Sequence, residues 1–389
     1  MKKFLAMILA LVMSLSLVAC GGSKEETKPT EEKPTETEQP AEAAGADFSV
    51  AMITDYGDIT DQSFNQTTYE ACKAYCEANG VDFSYFKPAG DSTAERVAMV
   101  ESAVDEGYTV IVMPGYAFGE TITQVADEYS DITFIALDVG EGDLGDYKLP
   151  SNVYSAVYQE ELCGYMAGYA TVKLGYTRLG FLGGMAVPAV VRYGYGYVQG
   201  ADAAAAEMGA DVTVEYVYGN QFFGDADITA YMDNWYQTLG VEAVFACGGG
   251  IYASAAEAAA KVGGKVIGVD VDQAGIIDGG YGDGMTVTSA MKGLAPTVEH
   301  MLTEVAAGNF SNYGGKIESL GLVSGSDPEA NYVQIPMGST QWSDSFTQDD
   351  YKALVKDMFD GKITVSNDIT AEPASLATTA TVNAYGNIK

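Results

Sequence analysis

Two rounds of the same alternation constrain this chain most: short β-branched runs separated by helix-length amphipathic stretches. The first round predicts strands at 48–53, 82–86, 110–113 and 132–137, with helices beginning at Phe64, Thr93 and Glu120. The second predicts strands at 152–157, 179–182, 212–217, 243–246 and 265–269, with helices through Tyr165 and Val172 and at 190–208, 228–239 and 253–261. Strand–helix–strand repetition of this kind builds parallel sheets, so the expected class is α/β with two Rossmann-like lobes. A later strand at 285–289, a helix at 294–307, a Gly-rich irregular stretch at 308–326, a strand at 332–335 and a helix at 349–359 carry the chain back to the first lobe and then the second. The expected division is residues 47–151 with 273–325 in one lobe, and 152–272 with 326–389 in the other, joined by a three-segment hinge. Roughly 340 residues exceed what a single core usually supports, which fits two lobes.

The amino end reads differently. Lys2 and Lys3 precede an apolar run that is short for a membrane span, and the run ends Leu17, Val18, Ala19, Cys20, Gly21. Residues 1–19 therefore read as a lipoprotein signal peptide, with Cys20 the lipidated residue after cleavage. Residues 20–46 are dominated by Glu, Thr, Pro, Lys and Ala; such a composition buries too little apolar surface to offset chain entropy and reads as a disordered linker. The expected location is the extracytoplasmic face of the cell membrane, held by the lipid anchor.

Charge and residue counts narrow the chemistry. With 54 acidic against 20 basic residues, the formal charge of −34 repels phosphate backbones, and nucleic acid is not an expected partner. Apart from Cys20, the cysteines Cys72, Cys76, Cys163 and Cys247 lie in apolar or small-residue segments and read as core residues rather than a disulfide framework. The single histidine, His300, rules out sites built on two or three histidines and leaves little for a Ser-His or Cys-His nucleophile. No G-x-G-x-x-G directly follows a strand and no Walker A sequence is present, so phosphate-bearing cofactors are disfavoured; no cofactor, no metal and no catalytic residue is expected.

In parallel sheets, ligands sit beyond the carboxyl ends of the strands, and those ends here are rich in carboxylates, glycines and aromatics. After the first strand come Asp55, Tyr56, Gly57 and Asp58, then Asp61, Gln62, Ser63, Phe64 and Asn65 at a helix start. Phe64 offers a flat π surface and Asn65 an amide with donor and acceptor, a pairing suited to a heteroaromatic ring; equally, Ser63 or Asp61 caps the helix while Phe64 packs inward. Phe222 and Phe223 lie in a Gly-bounded loop, where exposing both rings to water is costly at roughly 25 cal/mol per Å². Gly248 lets a ligand approach the backbone, and Asp270 can accept hydrogen bonds from vicinal hydroxyls. Lys292, at another strand end, is placed to neutralise Asp270 and to donate to the same ligand.

These residues resemble the basic membrane protein, or PnrA-like, family of substrate-binding lipoproteins of ABC transporters, from about Phe48 to Val365. The resemblance is carried by Thr54, Asp55 and Gly57; by Asp61, Ser63, Phe64 and Asn65; by Gly180, Phe181, Gly183 and Gly184; by Phe223; and by Ile267 to Asp270 with Asp272 and Gln273. It implies a type I periplasmic-binding-protein fold whose lobes close on a purine nucleoside and pass it to a transporter permease. On matching positions it implies that Phe64 and Phe223 stack on the base, Asn65 and Asp138 bond its edge with Asp55 a further edge contact, and Asp270 with Lys292 holds the ribose. Phe222 leaves open which of the two adjacent rings faces the ligand. Two other readings compete: the same fold holding another flat heterocycle, such as riboflavin or a signalling molecule, and an enzyme with paired carboxylates such as a glycosidase, for which no specific pair stands out.

Overall fold

The computed structural model describes residues 48–388. Residues 1–47, including the expected signal peptide, Cys20 and the linker, lie outside the described residues. In chain order the elements of the first round are β1 (Ser49–Ile53), α1 (Phe64–Asn79), β2 (Asp82–Phe86), α2 (Thr93–Asp105), β3 (Val110–Pro114), α3 (Phe118–Val125), β4 (Thr133–Leu137), α4 (Glu141–Leu144) and β5 (Val153–Tyr158). The second round contains α5 (Glu160–Lys173), β6 (Arg178–Gly183), α6 (Pro188–Met208), β7 (Thr213–Tyr218), α7 (Ala226–Asn234), β8 (Ala243–Cys247), α8 (Tyr252–Ala260), β9 (Lys265–Asp270), α9 (Ala274–Tyr281) and β10 (Thr286–Lys292). Then follow α10 (Leu294–Ala306), β11 (Lys316–Leu320), β12 (Val333–Gln334), α11 (Gln348–Phe359) and β13 (Thr381–Asn387).

Two sheets result, in the orders β11-β5-β4-β3-β1-β2 and β12-β10-β9-β8-β6-β7-β13. Every pairing is parallel except that of β12 with β10. Central strands such as VIVMP in β3 and AVFAC in β8 are buried at every position, as expected where helices cover both faces of a parallel sheet.

The lobe boundaries differ from those expected. β5 pairs with β4 and β11 in the first sheet, although the division at residue 152 assigned it to the second lobe. β10 pairs with β9 in the second sheet, although 273–325 was assigned to the first. The reason is topological: the chain crosses after the fifth strand of each round, not where the alternation restarts. The three crossings lie at Gln159, at Gly293 and across 321–332, and they are hydrogen-bonded together. Gln159 N–H donates to Leu320 O at 2.9 Å, Gly293 N–H to Tyr332 O at 2.7 Å, and Tyr332 N–H to Gly321 O at 3.1 Å. A side chain on Gly321 would overlap the Gln159 amide.

Helix α5 packs on α6 and against β10, in the second lobe. Gly164 and Gly168 on α5 meet Gly196 and Gly200 on α6, and a Cβ at any of the four would run into a backbone carbonyl of the facing helix. This close backbone approach fixes the register of the two helices and so the places of Glu160, Arg192 and Tyr193.

Candidate functional site

The carboxyl ends of both sheets face one cleft, which holds a cavity of about 350 Å³. That is enough for a small ligand of nucleoside size. All eight residues expected to bind ligand line it: Asp55, Phe64, Asn65, Asp138, Phe223, Gly248, Asp270 and Lys292.

The first lobe provides a network built on carboxylates. Asp55 Oδ1 accepts the N–H groups of Tyr56 and Gly57 at 2.7 Å each, which folds the loop after β1 back on itself. Burial raises the Asp55 carboxyl above its ordinary value, against the pull of those N–H groups. Of the two capping options for α1, the structure uses Asp61, which accepts the backbone N–H groups of Ser63, Asn65 and Gln66 at 2.9 to 3.0 Å. Asn65 donates through Nδ2 to Asp61 at 3.3 Å, and its Oδ1 is buried without a hydrogen-bond partner among the described residues. Asp138 has the same character: Oδ2 takes Lys292 Nζ at 2.5 Å, while Oδ1 is buried and has no partner among the described residues. Burial pushes the Asp138 carboxyl up to about 6; Lys292 opposes that rise and Glu160 adds to it.

The second lobe brings rings, glycines and the cation. Gly248 has φ +145°, and the Phe222 ring lies where its Cβ would be; Gly184 is crowded by the same ring. Phe222 also stands 6.5 Å from Tyr56 across the cleft, whereas its neighbour Phe223 is 58% exposed at the rim. The structure thus leaves both phenylalanines on the cavity wall, with Phe222 the more deeply seated.

Lys292 keeps its expected partner Asp270 and adds two nearer ones. Its ammonium is nearest to Asp138, then to Glu160 at 3.3 Å, and only then to Asp270 at 3.8 Å. Asp270 also accepts Ser63 Oγ at 2.6 Å and Tyr193 OH at 3.2 Å. Burial alone would depress the Lys292 ammonium, but Asp138, Glu160 and Asp270 together carry it above its ordinary value. The rings of Phe64, Tyr158 and Tyr193 surround it at 4.8, 5.4 and 5.7 Å from their centroids.

Several of these contacts span the lobes. Ser63 meets Asp270, Lys292 meets Asp138, Gln273 Nε2 donates to Gln62 O at 3.0 Å, and Tyr56 OH reaches Met185 Sδ at 3.2 Å. The lobes are therefore in contact along the cleft, in a closed arrangement. Sequence reasoning missed Glu160 and Tyr193. Glu160 follows a strand directly and was open to discovery on that ground; Tyr193, inside a helix, carries no such signal.

Two lobes built on parallel strands, three crossings and a cleft at the strand ends make up the type I periplasmic-binding-protein fold. The family described as ABC transporter substrate-binding protein PnrA-like matches residues 48–333, and the chain belongs to it. The chain is 28% identical over 339 residues to the CD4+ T-cell-stimulating antigen of Listeria innocua, covering 82% of this chain and 87% of that protein. It is 27% identical over 339 residues to the ABC transporter nucleoside-binding protein BmpA of Lactococcus lactis, covering 82% of this chain and 89% of that one. A solved ABC transporter solute-binding protein from Aeropyrum pernix superposes with a TM-score of 0.61 at 22% identity, over 85% of this chain and 90% of that chain, a likeness of fold.

Proposed function

We propose that this protein captures a nucleoside, a purine nucleoside foremost, on the outer side of the cell membrane and presents it to an ABC transporter permease without altering it. The observation that carries the reading is the pairing, in one cavity wall, of two buried oxygens without a partner among the described residues, Asn65 Oδ1 and Asp138 Oδ1, with the rings of Phe64 and Phe222 or Phe223. Buried acceptors without partners cost stability unless a ligand donor fills them, and a base edge offers donors in the plane of a ring that can stack. In this reading Asn65 and Asp138 take the base edge, with Asp55 beside them, and Asp270 and Lys292 hold the ribose hydroxyls. Gly248 lets the ring approach the backbone. The relative named as nucleoside-binding points the same way. Acyl chains on Cys20 would supply the anchor; no helix among the described residues is long and apolar enough to cross a membrane.

Thermal unfolding in the presence of adenosine, guanosine, inosine, pyrimidine nucleosides and riboflavin tests this. A ligand at a hundred times its Kd stabilises by about 2.7 kcal/mol, a readily measured shift. A rise with purine nucleosides is expected. A rise with riboflavin alone would replace the ligand assignment, and release of free base and ribose would make the protein an enzyme.

A further inference from the structure

Three ion pairs converge on Lys292, and one comes from a residue that does not line the cavity. Glu160, fully buried, opens α5 immediately after the crossing at Gln159, while Lys292 ends β10 immediately before the crossing at Gly293. Glu160 Oε1 takes the ammonium at 3.3 Å and Oε2 takes Arg192 Nε at 2.6 Å. The interlocked glycines of α5 and α6 hold Glu160 and Arg192 in register, so this carboxylate cannot slide along its helix to follow another partner.

The geometry points to Glu160 as a positioning residue for ligand capture: it fixes the Lys292 ammonium at the hinge side of the cleft, so that Lys292 occupies one oxygen of Asp138 and leaves the other to the ligand. The inference rests on the reading of Asp138 as a ligand contact. A buried ammonium that loses its counter-charge is strongly destabilised. When the first lobe swings away it takes Asp138 with it, and Lys292 keeps only the carboxylates of its own lobe. Of those, Asp270 stands at 3.8 Å and is shared with Tyr193 of the same lobe, whereas Glu160 stands at 3.3 Å, so Glu160 is the nearer anchor.

The groups that face Asp138 are Lys292 from β10, Glu160 from α5, Arg192 from α6 and Tyr158 from β5, with Asp270 of β9 acting on it through Lys292. The negative charge of Glu160 pushes the Asp138 carboxyl up and the positive charge of Arg192 pulls it down. A ligand N–H accepted by ionised Asp138 pulls its midpoint below the ligand-free value, so binding releases a proton and affinity falls as pH drops through about 6.

The test uses the full chain with guanosine as probe. The Asp138 midpoint is read in the ligand-free protein by carboxyl carbon NMR, and the Kd for guanosine is measured by calorimetry from pH 5 to pH 8. Glu160→Gln is expected to lower the Asp138 midpoint by about one unit and Arg192→Gln to raise it, with the acid limb of guanosine binding moving in the same directions. Above that limb Glu160→Gln is expected to weaken guanosine about tenfold, with Glu160→Asp restoring most of the loss. Unmoved midpoints together with a lowered melting temperature would show that Glu160 only packs, and would overturn the proposal. Should Glu160→Gln fail to fold, Arg192→Gln decides alone: an unmoved or lowered midpoint refutes it. If guanosine and the other nucleosides do not bind the unaltered protein, the ligand reading falls, while the ligand-free midpoints still decide the part of Glu160.

Discussion

The two lobes share one plan. Each sheet runs second, first, third, fourth and fifth strand of its round, so β6 to β10 stand where β1 to β5 do, with β13 added outside β7 in the second sheet. The likeness extends to the backbone at the strand ends. After the third strand sits a glycine of positive φ, Gly115 at +127° and Gly248 at +145°. After the fourth sits an aspartate of positive φ, Asp138 at +63° and Asp270 at +65°, a conformation that costs an L-residue about 1 kcal/mol or more and tends to be kept at functional positions. The side chains then diverge. Gly115 leaves room for the Asp55 carboxylate, whereas Gly248 leaves room for the Phe222 ring. The repeat thus supplies a common scaffold, and the chemistry is spread across it: the first lobe gives Asp55, Asp138, Asn65 and the Phe64 ring, the second gives Asp270, the Phe222 and Phe223 rings and the Lys292 ammonium.

That arrangement is broken most severely at Lys292, which forms ion pairs with carboxylates of both lobes. Lys292→Ala leaves Asp138, Glu160 and Asp270 buried without it and is expected to cost about 3 to 5 kcal/mol in urea denaturation, with nucleoside binding lost as well. The aromatic contribution separates more finely. Phe64→Ala is expected to weaken nucleoside binding by about 1 to 3 kcal/mol in calorimetry. Phe223→Ala, at the exposed rim, is expected to leave the melting temperature unchanged, whereas Phe222→Ala lowers it; whichever of the two also weakens the nucleoside is the facing ring.

The smallest effect is in pH. Asp138 and Glu161 titrate at about 6 and about 7 in the folded chain because of burial, above their ordinary 3.8 and 4.5. Each therefore takes up a proton more readily when folded. The stabilisation is fully present below the ordinary values and is lost as pH rises through about 6 and about 7. The ligand-free melting temperature should accordingly rise as pH falls from 8 to 5.5, and Glu161→Gln should flatten the rise. Affinity should move the opposite way over the same interval, which separates the cavity's response from that of the fold.

The buried parallel strands were legible because a run such as VIVMP or AVFAC has few alternatives, and their ends led directly to the cavity wall. Three kinds of feature were not. α9, read from AGIIDGGY, carries three glycines that mask its periodicity. β11 and β13 are partly exposed edge strands, KIESL in a Gly-rich stretch and TVNAYGN near the chain end, held by pairing to β5 and β7 rather than by their own propensity. The lobe boundaries escaped because periodicity marks where a strand lies, not which sheet receives it. At the site, the expected Lys292–Asp270 pair is present, but the nearer partners Asp138 and Glu160 were not read from the sequence. Lys292 was paired with Asp270 on sequence proximity of strand ends, but its reach across the cleft to Asp138 depends on how the lobes meet.

The order in which sheets are completed has a consequence for synthesis. The first sheet lacks its outer strand until residues 316–320 exist, and the second waits for 333–334 and then for 381–387. Neither sheet can finish before residue 316 has been made. A protein of this size usually folds domain by domain from the amino end; here each sheet is completed only by strands that follow residue 315, so a chain cut before that point leaves both unfinished.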